Sequence, residues 1–269
     1  MSAAKQGILE AKPNHLLVAT IAIMVNFFDT LGIGGFAPLV VLLKRFKLVQ
    51  DKLLPGTLNT ALCLPSIIEA LIYIKNVPID AMTLLSMITA AIIGSLLGVK
   101  LVARLNVGKV QLVMALALSL VLMIMLSDKA GFISAGGSAL GLTGTKLAIA
   151  ITGNFILGVL MSFGIGPYAP CMALVYSLGL SPIAAFPIMM GSCGLVMPIA
   201  SIKFIKLHAY HRRVSLLIGT TGLIGVVAAV AIIHLLSSAL LTWAAIIIIS
   251  YTVWQLFASA HRYLSAQSA

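Results

Sequence analysis

Acidic residues are nearly missing from this chain: six Asp and Glu stand among 269 residues, against 17 Lys and Arg. All charged residues together make up 9% of the sequence, hydrophobic residues make up 61%, and mean hydropathy is +1.16. Soluble domains are about one quarter charged, so a soluble fold is excluded. The formal charge of +11 does not imply nucleic acid, because the basic residues sit in short clusters between apolar stretches, with no aromatic-interleaved basic face. The chain has only three cysteines, Cys63, Cys171 and Cys193, each inside an apolar segment and none at metal-type spacing from His or another Cys. Neither disulfides nor a metal site are expected, and no cofactor. No Ser-His-Asp set, phosphate-binding loop or paired catalytic carboxylates occur, so an enzyme is not expected, and ATP-driven transport would need a separate subunit.

What the chain does have is internal repetition. Gly32-Ile33-Gly34-Gly35-Phe36-Ala37-Pro38 returns 132 positions later as Gly164-Ile165-Gly166-Pro167-Tyr168-Ala169-Pro170. At the same offset Pro55 meets Pro187 and Thr60 meets Ser192; with a slip of one residue Leu64-Pro65 meets Met197-Pro198, and Tyr73-Ile74-Lys75 meets Phe204-Ile205-Lys206. Glycine-broken hydrophobic segments at matching places in two halves point to a transporter's binding site. Repeat 1 covers about 12–127 and repeat 2 about 146–264, joined by a Gly/Ser-rich external linker, about 128–145, in one transmembrane domain.

Six apolar stretches approach the ~20 residues a spanning helix needs: 53–74, 81–102, 110–126, 183–205, 214–236 and 240–260. The two motif regions are instead split into short pieces, 16–28 with 36–43, and 147–163 with 169–180. Basic residues decide how those pieces run, because short cytoplasmic loops collect Lys and Arg. If both broken segments turn back as re-entrant hairpins, 14 of the 17 fall inside, leaving Lys75, Lys129 and Lys146 outside. A single crossing by the first segment would strand the Lys44–Lys52 cluster on the other side. The expected fold is therefore all-α: two inverted repeats, each a broken helix hairpin plus three transmembrane helices, with both termini cytoplasmic. Inverted repeats provide two conformations that open to opposite sides, the basis of alternating access.

Irregular backbone at bilayer depth is tolerated where it is buried in protein or lines a watery cavity. Pro38 and Pro170 suit the first turn of a helix, so half-helices should begin near Phe36 and Tyr168. Their free N–H groups and positive ends suit a small oxyanion, with Gly34 and Gly166 allowing close backbone approach. The alternative is that the glycines serve helix packing.

These residues resemble the sulfite exporter TauE/SafE family, also called the 4-toluene sulfonate uptake permeases, over essentially the whole chain. The resemblance rests on the two motif copies, the proline-containing span after each, and overall size. It implies a multi-pass secondary transporter of the cell inner membrane whose substrate is sulfite, sulfoacetate or a related sulfur-containing anion, and it leaves a homodimer open. Pro167 departs from the pattern by replacing the second motif's third glycine. The competing expectation is a passive anion channel or a carrier for a non-sulfur organic anion.

The candidate substrate-binding residues are Gly32, Gly34, Gly35, Phe36, Asn59, Thr60, Gly164, Gly166, Tyr168 and Ser192, with Asn26, Thr30, Asn154 and Ser162 nearby. Ser and Thr in membrane helices also commonly bond their own backbone, and the cysteines serve as small hydrophobes. Asp29 is the expected coupling residue: an ionised carboxylate beside an anion site repels substrate, so its protonation would accompany anion binding. Capping of the broken helix is the alternative for Asp29, and snorkelling from a span end for Glu69 and Lys203.

Overall fold

With no water in a bilayer core to bond them, backbone N–H and C=O groups must satisfy one another along the chain, and helices do this within a single segment. The computed structural model describes residues 13–50, 53–101, 107–131, 137–161, 167–233 and 238–268. Every regular element among them is helical, apart from an isolated bridge between Ala139 and Leu180. Ten α-helices are described: α1 His15–Thr30, α2 Phe36–Arg45, α3 Leu54–Asn76, α4 Ala81–Leu101, α5 Val107–Lys129, α6 Gly144–Met161, α7 Tyr168–Ser177, α8 Ala185–Lys206, α9 Arg212–Ile233 and α10 Ser238–Ser268.

Among the described residues α3, α6, α8 and α9 are long and apolar enough to cross a membrane, which makes this a membrane protein. The expected spans 81–102, 110–126 and 240–260 run over side chains outside the described set. The structure revises the reading of α6, which was expected as one short piece of a broken pair. It starts at Gly144, takes in the polar Thr145 and Lys146, and at 18 residues reaches about 27 Å at ~1.5 Å per residue.

The chain divides into two compact units. The first comprises Met1–Glu69 and Met197–Ile233, and within it α1 packs along α9. Val18, Ile21, Ala22 and Val25 are buried, while Leu16, Met24 and Phe28 face outward, as apolar side chains do when the surroundings are lipid. The approach is close enough that a Cβ on Gly225 would strike Ile23 O, and one on Gly222 would strike the Asn26 side chain. The starts of the two helices share a cleft lined by Pro13, His15, Arg213, Leu216, Leu217 and Thr220, so they run in the same direction.

The second unit comprises Ala70–Val196 and His234–Ala269; here α4 packs on α6 and α5 on α10. Thr83 Oγ1 accepts from Leu142 N at 2.9 Å near the start of α4. Further along, Cβ atoms on Gly94 and Gly158 would strike Phe155 O and Ala91 O. α4 and α6 therefore also run in the same direction. By contrast, α7 folds back along α6: Leu174 lies against Gly153, and Gly179 faces the Lys146 ammonium in the first turn of α6.

The contacts of the two units correspond at the offsets seen in the sequence. Gly94 against Phe155 matches Gly225 against Ile23. Asp80, whose Oδ2 accepts from Thr83 N at 2.8 Å, and His211, whose Nδ1 accepts from Val214 N at 3.3 Å, open α4 and α9 at an offset of 131. α2 and α7 end alike: the Leu48 N–H reaches Leu43 O around Lys47, and the Leu180 N–H reaches Val175 O around Gly179. Lys47 and Gly179, 132 positions apart, both take a left-handed backbone, with φ 51° and 92°, which is the glycine-type helix stop.

Candidate functional site

α1 stops because Gly32 and Gly34 both turn left-handed, with φ 91° and 90°, a conformation that only glycine adopts without a Cβ penalty. The Gly32 N–H closes onto Asp29 O at 2.8 Å and the Ile33 N–H onto Phe28 O at 3.1 Å, satisfying the last carbonyls of α1. α2 then begins at Phe36, where Pro38 led it to be expected, and no side chain of Gly35 caps its first turn.

The end of α1 and the start of α2 are joined through Asp29. Its Oδ1 accepts the Gly35 N–H at 2.6 Å, and a Cβ on Gly35 would meet the same carboxyl. Asp29 is 1% exposed and sits at the positive end of α2, in the capping role named as its alternative. Gly32, Gly34 and Gly35 thus build the turn that brings Asp29 to this helix end. Next to it Thr30 Oγ1 lies 2.7 Å from Asn26 O and 2.6 Å from Glu69 Oε1.

Glu69 is 0% exposed and acts electrostatically on Asp29. The snorkelling expected of it is therefore wrong: although two turns from the end of α3, its carboxyl is turned inward by Thr30. Lys203, named with it, is exposed. Glu69 is the polar residue that sequence reasoning undervalued. Its signal was present as a lone acid in the apolar run from Ala61 to Ile74.

In the second motif Gly164 and Gly166, and with them Ser162, lie outside the described residues. α7 begins at Tyr168, as Pro170 led to expect, with Pro167 offering no side-chain cap, and Tyr168 through Ala173 are buried. In the same unit Asn154 Nδ2 donates to Met87 O at 2.7 Å and to Ser192 Oγ at 3.2 Å. Asn154 and Ser192 are thus brought together on α6 and α8, both buried.

The remaining candidates follow the blander expectation. Asn59 Nδ2 donates to Pro55 O at 2.8 Å within its own helix. Thr60 Oγ1 donates to Gly56 O at 2.7 Å, and it also stands 2.7 Å from Ser215 Oγ on α9. One turn earlier the His211 N–H donates to Thr57 Oγ1 at 2.9 Å, so Thr57, Thr60, His211 and Ser215 tie α3 to α9. None of the three cysteines is in a disulfide; Cys171 and Cys193 are buried and Cys63 is half-buried. The described residues hold no group of three or more His, Cys, Asp and Glu that could hold a metal. The chain matches no known protein family, no curated protein and no solved structure in comparison.

Proposed function

We propose that this protein is a secondary transporter carrying a small sulfur-containing oxyanion, such as sulfite, sulfoacetate or a related organosulfonate, across a bacterial inner membrane by alternating access. The observation that carries this reading is the pair of ten-residue helices α2 and α7, each starting at the duplicated break, α7 with no side-chain cap on its first turn and α2 with the Asp29 carboxylate on the Gly35 N–H just ahead of it. At ~15 Å each, they reach only half of a ~30 Å hydrocarbon layer. Helix starts of this kind present free N–H donors and partial positive charge to an anion. The repeated contacts of α1 with α9 and of α4 with α6 support reading the halves as inverted copies. The folding-back of α7 along α6 supports re-entrant hairpins. The choice of a sulfur anion rests on the TauE/SafE resemblance of the motifs.

Flux into proteoliposomes tests this directly, with sulfite, sulfoacetate, thiosulfate, sulfate and acetate, each with and without a proton gradient. Saturable uptake of a sulfur anion, accelerated by the gradient, is expected. Preferential acetate uptake would assign a carboxylate carrier, and conduction indifferent to the gradient would assign a passive channel.

A further inference from the structure

The group around Thr30 has two contacts and one hydrogen to fill them. Thr30 Oγ1 is 2.7 Å from Asn26 O and 2.6 Å from Glu69 Oε1, and a hydroxyl owns a single hydrogen. Were Glu69 ionised, one of these contacts would press oxygen on oxygen with nothing between. A hydrogen on Glu69 Oε1 resolves both: the acid donates to Thr30 Oγ1, which donates to Asn26 O. The other oxygen agrees, because Glu69 Oε2 is buried without a hydrogen-bond partner. That is tolerable for the carbonyl oxygen of a neutral acid and costly for a carboxylate. Asp29 acts on Glu69 electrostatically and Thr30 through its hydrogen bond. On the α9 side the neighbour of this end of α1 is Gly222, against Asn26. Asp29 is placed differently, its Oδ1 held by the Gly35 N–H at the positive end of α2, where negative charge is stabilised.

We infer that Glu69 is the residue that carries the coupling proton, with Asp29 as a fixed negative charge beside it and the Thr30 hydroxyl as its first proton acceptor. This deepens the transport reading and rests on it, moving the proton from Asp29 to Glu69. On release the Oε1–H bond breaks, Thr30 Oγ1 takes that proton and passes the one it held toward Asn26 O to water admitted as the site opens, and the Thr30 hydroxyl is left donating to the new carboxylate. The site then holds two negative charges and repels an anion at the α2 end. With the proton back on Glu69 it holds one. Anion and proton consequently move together.

Infrared spectra of the full chain in lipid bilayers, in H2O and D2O, separate protonated carboxyl from carboxylate. Wild type at neutral pH should show a protonated-carboxyl band that shifts in D2O, is lost in Glu69→Gln and is kept in Asp29→Asn. Loss in Asp29→Asn with retention in Glu69→Gln, or no such band at all, would overturn the assignment. Should Glu69→Gln fail to fold, Thr30→Val keeps both carboxyls and removes the acceptor; its band should move, and an unmoved band counts against the proposal. In proteoliposomes folded Glu69→Gln should keep sulfite exchange and lose the gradient-driven part of sulfite uptake, and undiminished gradient-driven uptake would refute the coupling role. A Glu69 band in a wild-type protein that moves none of the five panel anions would defeat the transport reading, and coupling with it, while the protonation assignment stands.

Discussion

Gly34 and Lys47 both adopt left-handed backbone, but only Gly34 does so without a Cβ. Gly34→Ala should therefore cost about 1–2 kcal/mol, read as a lower midpoint of thermal unfolding in detergent. Gly34→Val, if it still folds, should lose anion binding as well; normal affinity in a folded Gly34→Val variant would reduce the motif glycines to packing. Asp80 offers a pH test outside the spans. The Thr83 backbone N–H and then its hydroxyl hold this carboxyl below the ordinary Asp value. A lowered folded-state value means that the stabilisation is complete above the unfolded-state pKa and fades as pH drops through the folded one. Thermal stability should thus fall on the acid side, and Asp80→Asn should remove that part of the slope by lowering the neutral and alkaline limb, with the two proteins converging at acid pH. Residue identities were the most legible level in the sequence at the breaks, where Pro38 and Pro170 located both helix starts to the residue. They were least legible at Glu69, because its role depends on Thr30, 39 positions away, and periodicity carries no information about such a pair.

Among the elements, the helix pairs depend on bare backbone at their crossings. Gly225 in α9 and Gly94 in α4 each meet a carbonyl of the partner helix, so Gly225→Val should force α1 and α9 apart and Gly94→Val should do the same to α4 and α6. Overpacking of this kind costs about 1–3 kcal/mol. Because the two contacts correspond, the two variants should lose similar amounts of thermal stability, and an unaffected Gly94→Val beside a crippled Gly225→Val would break the correspondence between halves. Apolar length in the sequence located α3, α8 and α9 well. It missed the true start of α6, since a helix end is set by where the backbone turns, at Gly144 with φ 56°, and not by where hydropathy drops. Pairing was illegible for a related reason. All faces of these helices are apolar, so the glycines that mark a close crossing look the same as those that end a helix.

At the scale of the whole molecule, the inverted arrangement we propose makes a claim about sidedness. Single cysteines in a background lacking Cys63, Cys171 and Cys193 should be labelled from opposite faces of a sealed membrane at Lys47→Cys and Gly137→Cys. Labelling of both from one face would rule out the hairpin topology. The pairing of α1 with α9 also has a consequence for biogenesis. α1 leaves the ribosome well before its packing partner α9, which begins at Arg212. At about 5–20 residues per second the wait is roughly 10–35 s. Throughout that interval the α1 face carrying Asn26, buried against Gly222 in the finished protein, has no protein to cover it. Nascent chains stalled before Arg212 should accordingly leave α1 open to crosslinking by insertion factors, and chains released past Ile233 should not, making synthesis of α9 the moment at which α1 becomes safe from quality control.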